Sequence, residues 1–398
     1  MVLLFMIFYP MVISAVAVLV TLVYASYLDI KDRRVPFRMW YPMLVVGLAA
    51  TIVLFYQQTG NISLIFGYLA LVASFFYADY LDNRDPETPF RFSYLAAILA
   101  LPALSWFIIP AISSGKLPEL QLIPWYVMFV GLLAYVSYRE SKKRPERKLT
   151  AKQIKKESLM DSNVETVLTR WYFVLIIIIL AIASFYMIGG GNWGVSGIYI
   201  ALAAVFCGVF YVFGQMHLFG GADAWALIFI AFCIPTFPIT PLLNTPPLGF
   251  LSFSVLINAL ILNLVAPVGI FIINVVKKNR APLQYMFFGF PVKGEKIQES
   301  WGFVMEDFNE KNGKVERKFV GFWDSLRRMR SEEGRIYTKN LREHPEEYEK
   351  ELGLYRKAGT VWISYAVPFI LPITAGLITA IFCGDFLLAI MTALTGGM

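Results

Sequence analysis

Residues 10–36 read PMVISAVAVLVTLVYASYLDIKDRRVP. Residues 10–28 of this stretch carry no charged side chain, whereas residues 29–34 carry five. About 20 consecutive apolar residues are enough for a helix to cross the hydrocarbon core of a bilayer. The stretch therefore predicts a membrane-spanning helix that leaves the bilayer near Asp29.

The rest of the chain has the same character. Of its 398 residues, 58% are hydrophobic and only 16% are charged, which is unlike a soluble domain. Apolar runs of suitable length predict about ten spans. They lie near residues 10–28, 38–56, 62–80, 92–110, 122–138, 171–188, 195–213, 224–240, 249–276 and 360–383. The predicted fold is all-α, a polytopic transmembrane helical bundle with a small cytosolic subdomain.

Basic residues indicate how the chain is oriented. The segments KDRRVPFR, LDNRDPETPFR, RESKKRPERKLTAKQIKKES and KKNRAPLQ fall on one side if the spans alternate, while the opposite loops carry a single lysine. That side is predicted to be the cytoplasm. The first ten residues, MVLLFMIFYP, contain no basic residue, so we expect a retained helix with its N-terminus outside the plasma membrane and no cleaved signal peptide. The net charge of +7 is explained by this topology and does not indicate nucleic-acid binding.

Five regions follow from this pattern. Residues 1–60 hold the first candidate catalytic helix, 61–190 are additional spans with a basic connector at 139–170, 191–276 hold a glycine-aspartate motif, 277–359 form the subdomain and 360–398 form a C-terminal helix and tail. The connector is expected to face membrane lipids. Cys207, Cys233 and Cys383 lie singly in apolar runs, which predicts neither a metal site nor disulfides.

Two carboxylates stand out because ionisable residues at a membrane are costly and usually functional. Asp29 follows the first span, and Asp223 opens a later span in GGADAWAL, so the topology puts both at the cytosolic edge. Each one alone is commonly a helix-end residue. A pair at one depth suits hydrolysis by an activated water, with one carboxylate ionised and the other protonated. Gly220 and Gly221 are expected to allow unusual backbone angles and close approach of a substrate.

Three stretches, YLDIKDRRVP, GGADAWAL and ISYAVPFILPITAGL, resemble the archaeal prepilin and prearchaellin (preflagellin) peptidases, which belong to the type IV prepilin peptidase group of GxGD aspartyl proteases. The resemblance covers roughly residues 10–56 and 195–383, and residues 62–188 have no assigned counterpart. It implies that Asp29 and Asp223 are the catalytic aspartates, with Ala222 where the family name has glycine. Pro368, Phe369 and Pro372 would be structural or substrate-lining residues.

The resemblance also implies a reaction. The enzyme would cut the basic leader, a class III signal peptide, from pilin or archaellin precursors at the cytosolic face of the membrane, with water and no cofactor. Two alternatives remain open at this point. One is a proton- or ion-coupled transporter that uses Asp29 and Asp223. The other is a presenilin-like intramembrane protease, although the residue before Asp29 is Leu28 and not the tyrosine expected there.

Overall fold

The computed structural model describes residues 2–83, 91–114, 122–141, 194–215, 219–311, 314–321, 324, 336–365 and 369–395. It is 75% helical, so the predicted helical bundle is confirmed. The chain folds as two compact units. The first comprises Met1–Ala259 and Ile373–Met398, and the second comprises Leu260–Pro372.

The described residues form fifteen α-helices. In chain order they are α1 Val2–Asp32, α2 Tyr41–Thr59, α3 Ile62–Asp82, α4 Phe92–Ala103, α5 Ile109–Ser114, α6 Leu122–Ser141, α7 Gly194–Gln215, α8 Gly221–Cys233, α9 Leu251–Asn263, α10 Val265–Val276, α11 Leu283–Phe288, α12 Thr338–Glu343, α13 Glu349–Ala358, α14 Ile370–Phe382 and α15 Phe386–Leu394. A π-helical turn, Leu104–Ile108, joins α4 to α5, and 3-10 turns occupy Phe37–Trp40, Gly294–Glu299 and Pro345–Tyr348.

Local sequence explains how one helix gives way to the next. Gly60 ends α2 in the left-handed conformation, with φ 61°, which glycine adopts without steric cost. Asn61 then begins α3, because its side chain accepts hydrogen bonds from the backbone N–H groups of Ser63 and Leu64. These two adjacent residues therefore set the turn between two antiparallel helices.

The helices are long enough for a multi-pass membrane protein. Among the described residues, six stretches could cross a bilayer, namely Tyr9–Asp32, Phe37–Thr59, Ile62–Leu81, Ser93–Ile112, Ser196–Gln215 and Leu251–Val276. A seventh is possible if α14 and α15, which meet at 58°, form one bent span. The expected total of about ten is not confirmed, and the span expected at 171–188 lies outside the described residues.

Two of the expected spans have a different form. The helix expected at 224–240 ends at Cys233, because Pro235, Pro238 and Pro241 follow and proline lacks the N–H that a helix interior needs. The span expected at 360–383 begins instead with a strand over Thr360–Tyr365, and its helix starts only at Ile370.

The second unit contains a small strand-containing domain. Its strands are β1 Gly289–Lys293, β2 Gly302–Val304, β3 Glu306–Lys311, β4 Lys314–Phe319 and β5 Thr360–Tyr365. The antiparallel order is β1-β5-β2, and β3 and β4 form a hairpin. Val361 and Ile363 of β5 pack with Tyr355 of α13 in a buried core. The expected subdomain at 277–359 thus has a core of its own, and β5 extends it.

Asn274 joins the last turn of α10 to this domain. Its side chain is fully buried, and its amide nitrogen donates to the carbonyl oxygens of Met286 at 2.8 Å and Gly289 at 2.7 Å. Asn279 donates in turn to the Asn274 side-chain oxygen. The end of α10 is therefore tied to the start of β1.

Candidate active site

Asp29 lies inside the last turn of α1, and its side chain is half-buried. The helix continues through Asp32, slightly farther than the apolar run suggested. Arg33 then ends it in the left-handed conformation, with φ 52°, and its N–H donates to the Asp29 carbonyl oxygen at 3.2 Å. Asp29 is therefore held by a regular helix that terminates directly after it.

Asp223 lies in the first turn of α8 and is also half-buried. Gly220 is the N-cap residue of α8, and its carbonyl oxygen accepts the first helical hydrogen bond, from Ala224 N–H at 2.9 Å. A Cβ atom added to Gly220 would lie 2.3 Å from Asp223 Oδ2. Only glycine at position 220 therefore leaves room for the carboxylate where it lies.

The glycines do not act as the sequence suggested. Gly220 has φ −60° and ψ 136°, and Gly221 is not among the described glycines with positive φ. The expectation of unusual backbone angles is therefore wrong. The close approach at Gly220 is made by the Asp223 carboxylate, whereas a Cβ at Gly221 would meet nothing within 4 Å. Ala222 follows in the first turn of α8 and is partly buried.

Two contacts show how α1 and α8 run relative to each other. Ser14 Oγ donates to the Cys233 carbonyl oxygen, at the C-terminal end of α8, at 2.6 Å. At the other end, Phe37, which follows α1, packs on Trp225 near the start of α8, with ring centroids 5.2 Å apart. The two helices are therefore antiparallel, and Asp29 and Asp223 lie at the same end of the first unit.

Helix geometry gives the offset between them along the axis. At 1.5 Å per residue, Asp29 is about 22 Å from Ser14 and Asp223 is about 15 Å from Cys233, so the two Cα atoms differ in level by roughly 7 Å if the axes are parallel. Side chains tilt toward the N-terminus of their own helix. Because α1 and α8 are antiparallel, the carboxylates of Asp29 and Asp223 tilt toward each other along the axis and shorten this offset.

The C-terminal end of α8 is fixed by hydroxyl groups from three helices. Ser14 of α1 and Thr51 of α2 donate to the Cys233 carbonyl oxygen, at 2.6 and 3.0 Å. The Tyr68 hydroxyl of α3 donates to the Phe232 carbonyl oxygen. Backbone carbonyls at a helix end are costly in a membrane unless they are hydrogen-bonded. We call these three side chains the hydroxyl cap, and they set the depth of α8 and so of Asp223.

Four aromatic rings pack together around the second and third turns of α8, and no sequence pattern had singled them out. Phe37, Phe76, Trp225 and Phe229 pack with centroid distances of 5.0 to 6.3 Å. We call them the aromatic cluster. Its sequence signal was an aromatic residue a short distance after each aspartate, in VPFRMW and in DAWALIF. Single aromatics in apolar runs are too common to be recognised by pattern alone.

The C-terminal helix contributes contacts to α1 near Asp29. The Thr374 hydroxyl lies 2.9 Å from Ser26 Oγ and 3.3 Å from the Leu22 carbonyl oxygen that it donates to. These contacts place α14 beside the turn that precedes Asp29. Among the described residues, no three His, Cys, Asp or Glu side chains are grouped as metal ligands.

The predicted substrate-lining residues of the C-terminal motif are placed only in part. Pro368 lies outside the described residues. Phe369 is half-buried and directly precedes α14, and Pro372 is buried in the first turn of that helix, where proline is tolerated because the first N–H groups have no helical partner. Their role in lining a substrate stays a prediction.

Two family models match the chain. The model of the type IV leader peptidase family matches residues 16–98, which include Asp29, the aromatic ring Phe76 and a region from residue 62 onward that had no assigned counterpart. The model of the archaeal peptidase A24 C-terminus, type II, matches residues 281–386, which include the strand-containing domain and all of α14. Neither match includes Asp223. No curated protein matches the chain. The N-terminal and C-terminal matches agree, and together they support an archaeal prepilin or preflagellin peptidase of the type IV leader peptidase kind.

Proposed function

We propose that the protein is a membrane-embedded aspartic endopeptidase of the GxGD type in which Asp29 and Asp223 form the catalytic pair. It removes the basic leader, a class III signal peptide, from pilin-like or archaellin precursors. The observation that carries this proposal is the antiparallel packing of α1 and α8, which brings the two half-buried carboxylates to one end of the first unit.

The reaction needs only this pair and water. The ionised carboxylate takes a proton from water as the water oxygen attacks the scissile carbonyl carbon, and the protonated partner donates a hydrogen bond to the carbonyl oxygen. The tetrahedral intermediate collapses when a carboxyl proton passes to the leaving nitrogen and the C–N bond breaks. Asp223 lies at a helix N-terminus, whose dipole favours a negative charge, so we assign the ionised role to Asp223 in a jointly titrating pair.

Exposed tyrosines support a position for this pair at the membrane surface. Tyr9 and Tyr27 of α1 are 65% and 55% exposed, and they are separated by about 27 Å along the helix, close to the thickness of the hydrocarbon core. Lys31 Nζ lies 5.9 Å from the Tyr27 ring centroid. Tyrosine and lysine are typical of the membrane interface, so Asp29 is within reach of water. We place the protein in the plasma membrane with its N-terminus outside and this end facing the cytoplasm.

The test is coexpression of the full chain with an epitope-tagged precursor that carries a basic leader. Wild type shortens the precursor on a gel, and mass spectrometry of the new N-terminus gives the cut site. Asp29→Asn and Asp223→Asn each abolish the shortening. Asp32→Asn is the matched control, because Asp32 is an exposed carboxylate at the end of the same helix.

Two results would contradict the proposal. Precursor shortening by both Asn variants would remove Asp29 and Asp223 from the catalytic machinery. Absence of any cleavage by wild type, together with solute uptake into vesicles that depends on both aspartates, would favour a carrier.

A further inference from the structure

Phe37 links the two candidate catalytic helices. It is the first residue of the 3-10 turn Phe37–Trp40 that connects α1 to α2, and it is half-buried. The chain between Asp29 and Phe37 is short and conformationally fixed. Arg33 ends α1 in the left-handed region, Pro36 begins the turn with φ −63°, and Met39 N–H closes it on the Pro36 carbonyl oxygen at 3.0 Å. A shift of the Phe37 ring is therefore passed to the end of α1.

The Phe37 ring touches aromatic side chains of three helices. Its centroid is 5.9 Å from that of Tyr41 on α2, 6.3 Å from Phe76 on α3, and 5.2 and 5.8 Å from Trp225 and Phe229 on α8. All four pairs are edge-to-face, which is a favourable arrangement for aromatic quadrupoles. Among the described rings of the aromatic cluster, Phe37 alone lies outside a regular α-helix.

The ring contacts lie on the back of α8 as seen from Asp223. At about 100° per residue, Trp225 and Phe229 are roughly 200° and 240° around the helix from Asp223, so they face away from the carboxylate. The far end of α8 is held by the hydroxyl cap. The rotation and tilt of the part of α8 that carries Asp223 are limited by the side chains that pack against Trp225 and Phe229. Phe37 is one of these side chains, and it also lies in the segment that directly follows α1 and Asp29.

We propose that Phe37 is a positioning residue that sets the separation of the Asp29 and Asp223 carboxylates, by supporting α8 from behind while fixing the end of α1. This inference rests on the proposed function. A smaller side chain at position 37 leaves α8 free to move away from α1, so the carboxylates separate. Two carboxylates that share one proton have widely split apparent pKa values, and the splitting falls as they separate.

The experiment uses the full chain in detergent with a tagged precursor. It compares wild type, Phe37→Ala, Phe37→Leu and Phe37→Tyr. Phe37→Ala lowers kcat at least tenfold with KM within twofold of wild type, and the two limbs of its pH–rate profile move toward each other. Phe37→Leu keeps a large side chain without a ring, and the two limbs of its pH–rate profile move toward each other by a smaller amount. Phe37→Tyr restores both the rate and the profile, because it retains the ring.

Phe253→Ala is the matched control. Phe253 is a half-buried ring of α9 that packs on Phe206 and Phe250, each at 5.3 Å, within the same unit. Its loss costs similar packing, so thermal stability falls as it does for Phe37→Ala, but the shape of the pH profile stays that of wild type.

Specific outcomes overturn the inference. If Phe37→Ala and Phe37→Leu cleave with the wild-type profile, or lose rate only in proportion to stability as Phe253→Ala does, Phe37 is a packing residue and no more. The aspartate variants test the proposed function independently of Phe37. If that function is wrong, Asp29→Asn or Asp223→Asn still cleaves the precursor. If Phe37→Ala does not fold, Phe37→Leu against Phe37→Tyr decides the question.

Discussion

Gly220 acts through the absence of a side chain. Its backbone angles are accessible to any residue, yet a Cβ there would collide with Asp223 Oδ2. The glycine-aspartate spacing was visible in the sequence, and so was the chemistry that it indicates. The physical reason for the glycine was not visible. The sequence suggested that glycine is needed for unusual backbone angles, whereas in the structure it leaves space for the Asp223 carboxylate.

Gly220→Ala is therefore expected to lower precursor cleavage by about 10- to 100-fold, the range that a misplaced catalytic group costs, while the fold is kept. In Gly221→Ala the new methyl group enters open space, so its rate falls less than that of Gly220→Ala. The measurement is the initial rate of precursor cleavage, with thermal unfolding in detergent as the control. Equal rates for the two variants would contradict the clearance argument.

Glu306 is a second residue whose environment sets its behaviour. Its side chain is 3% exposed, Oε2 accepts the Trp362 N–H at 2.8 Å, and Oε1 is buried without a partner among the described residues. Burial raises the pKa of Glu306 above its ordinary value, although the Trp362 N–H and Arg317 act in the opposite direction.

The folded carboxyl of Glu306 consequently keeps its proton to a higher pH than the unfolded chain does. The free energy of unfolding then falls as pH rises from the ordinary value of 4.5 through the raised pKa. Glu306→Gln, which cannot ionise, is expected to be more stable than wild type at neutral pH and to lack this dependence. Unfolding of the full chain at a series of pH values measures this dependence. If the free energy of unfolding of Glu306→Gln changes with pH as that of wild type does, the prediction is wrong.

At the scale of elements, α8 is the unusual helix. Its 13 residues extend about 20 Å, short of the roughly 30 Å hydrocarbon core. A helix can end at that depth only if its last carbonyl groups find donors, and the hydroxyl cap supplies them. The helix is also packed closely, because a Cβ at Gly47 of α2 would lie 2.4 Å from Cys233 Cβ.

Tyr68→Phe removes one hydroxyl of the cap and keeps the ring. We expect it to lower the free energy of unfolding by about 1 kcal/mol, as measured by unfolding in detergent. Tyr56→Phe is the control, since Tyr56 is 52% exposed and should change nothing measurable. If Tyr68→Phe is as stable as wild type, the hydroxyl cap does not hold the end of α8.

The spans of the N-terminal part could be predicted from sequence, because α1, α2 and α3 are apolar runs bounded by charge, glycine or asparagine. The length of an apolar run failed as a criterion at 224–240 and 360–383, because it does not distinguish a helix from a strand or a loop. IPTFPITP cannot continue a helix, and TVWISY is rich in β-branched and aromatic residues that favour strands. The sequence also singled out the two candidate aspartates, whose catalytic role stays a prediction. The rings and hydroxyls that pack around their helices could not be recognised, because they look like ordinary residues of apolar runs until the helices are packed.

At the scale of the whole molecule, the candidate site lies at one end of the first unit, and topology decides which compartment supplies the substrate. Lys31 lies in the last turn of α1 and Arg33, Arg34 and Arg38 follow the helix, whereas the turn between α2 and α3 carries no basic residue. Because basic residues favour the cytoplasmic side of a membrane, this asymmetry supports the proposal that the end that holds Asp29 faces the cytoplasm.

Single cysteines at the two ends of α2 test this orientation. In a Cys383→Ser background, where the remaining native cysteines, Cys207 and Cys233, are buried, Gln57→Cys should react with an impermeant thiol reagent in intact cells. Arg38→Cys should react only after the membrane is permeabilised. Both positions are exposed, so the reverse labelling pattern would invert the proposed topology.

Two left-handed helix ends share a property that bears on stability engineering. Among the described residues, Arg33 after α1 and Lys278 after α10 are the non-glycine residues with positive φ. Glycine at such a site would relieve about 1 to 2 kcal/mol of steric cost but would give back up to about 1 kcal/mol by enlarging the unfolded ensemble. Since much of the gain cancels, and a cation at a helix C-terminus is itself favourable, the chain can hold positive charge at both ends for little loss of stability. Replacing Arg33 and Lys278 by glycine would therefore raise the free energy of unfolding only slightly. It would also remove two of the positive charges that orient the chain in the membrane.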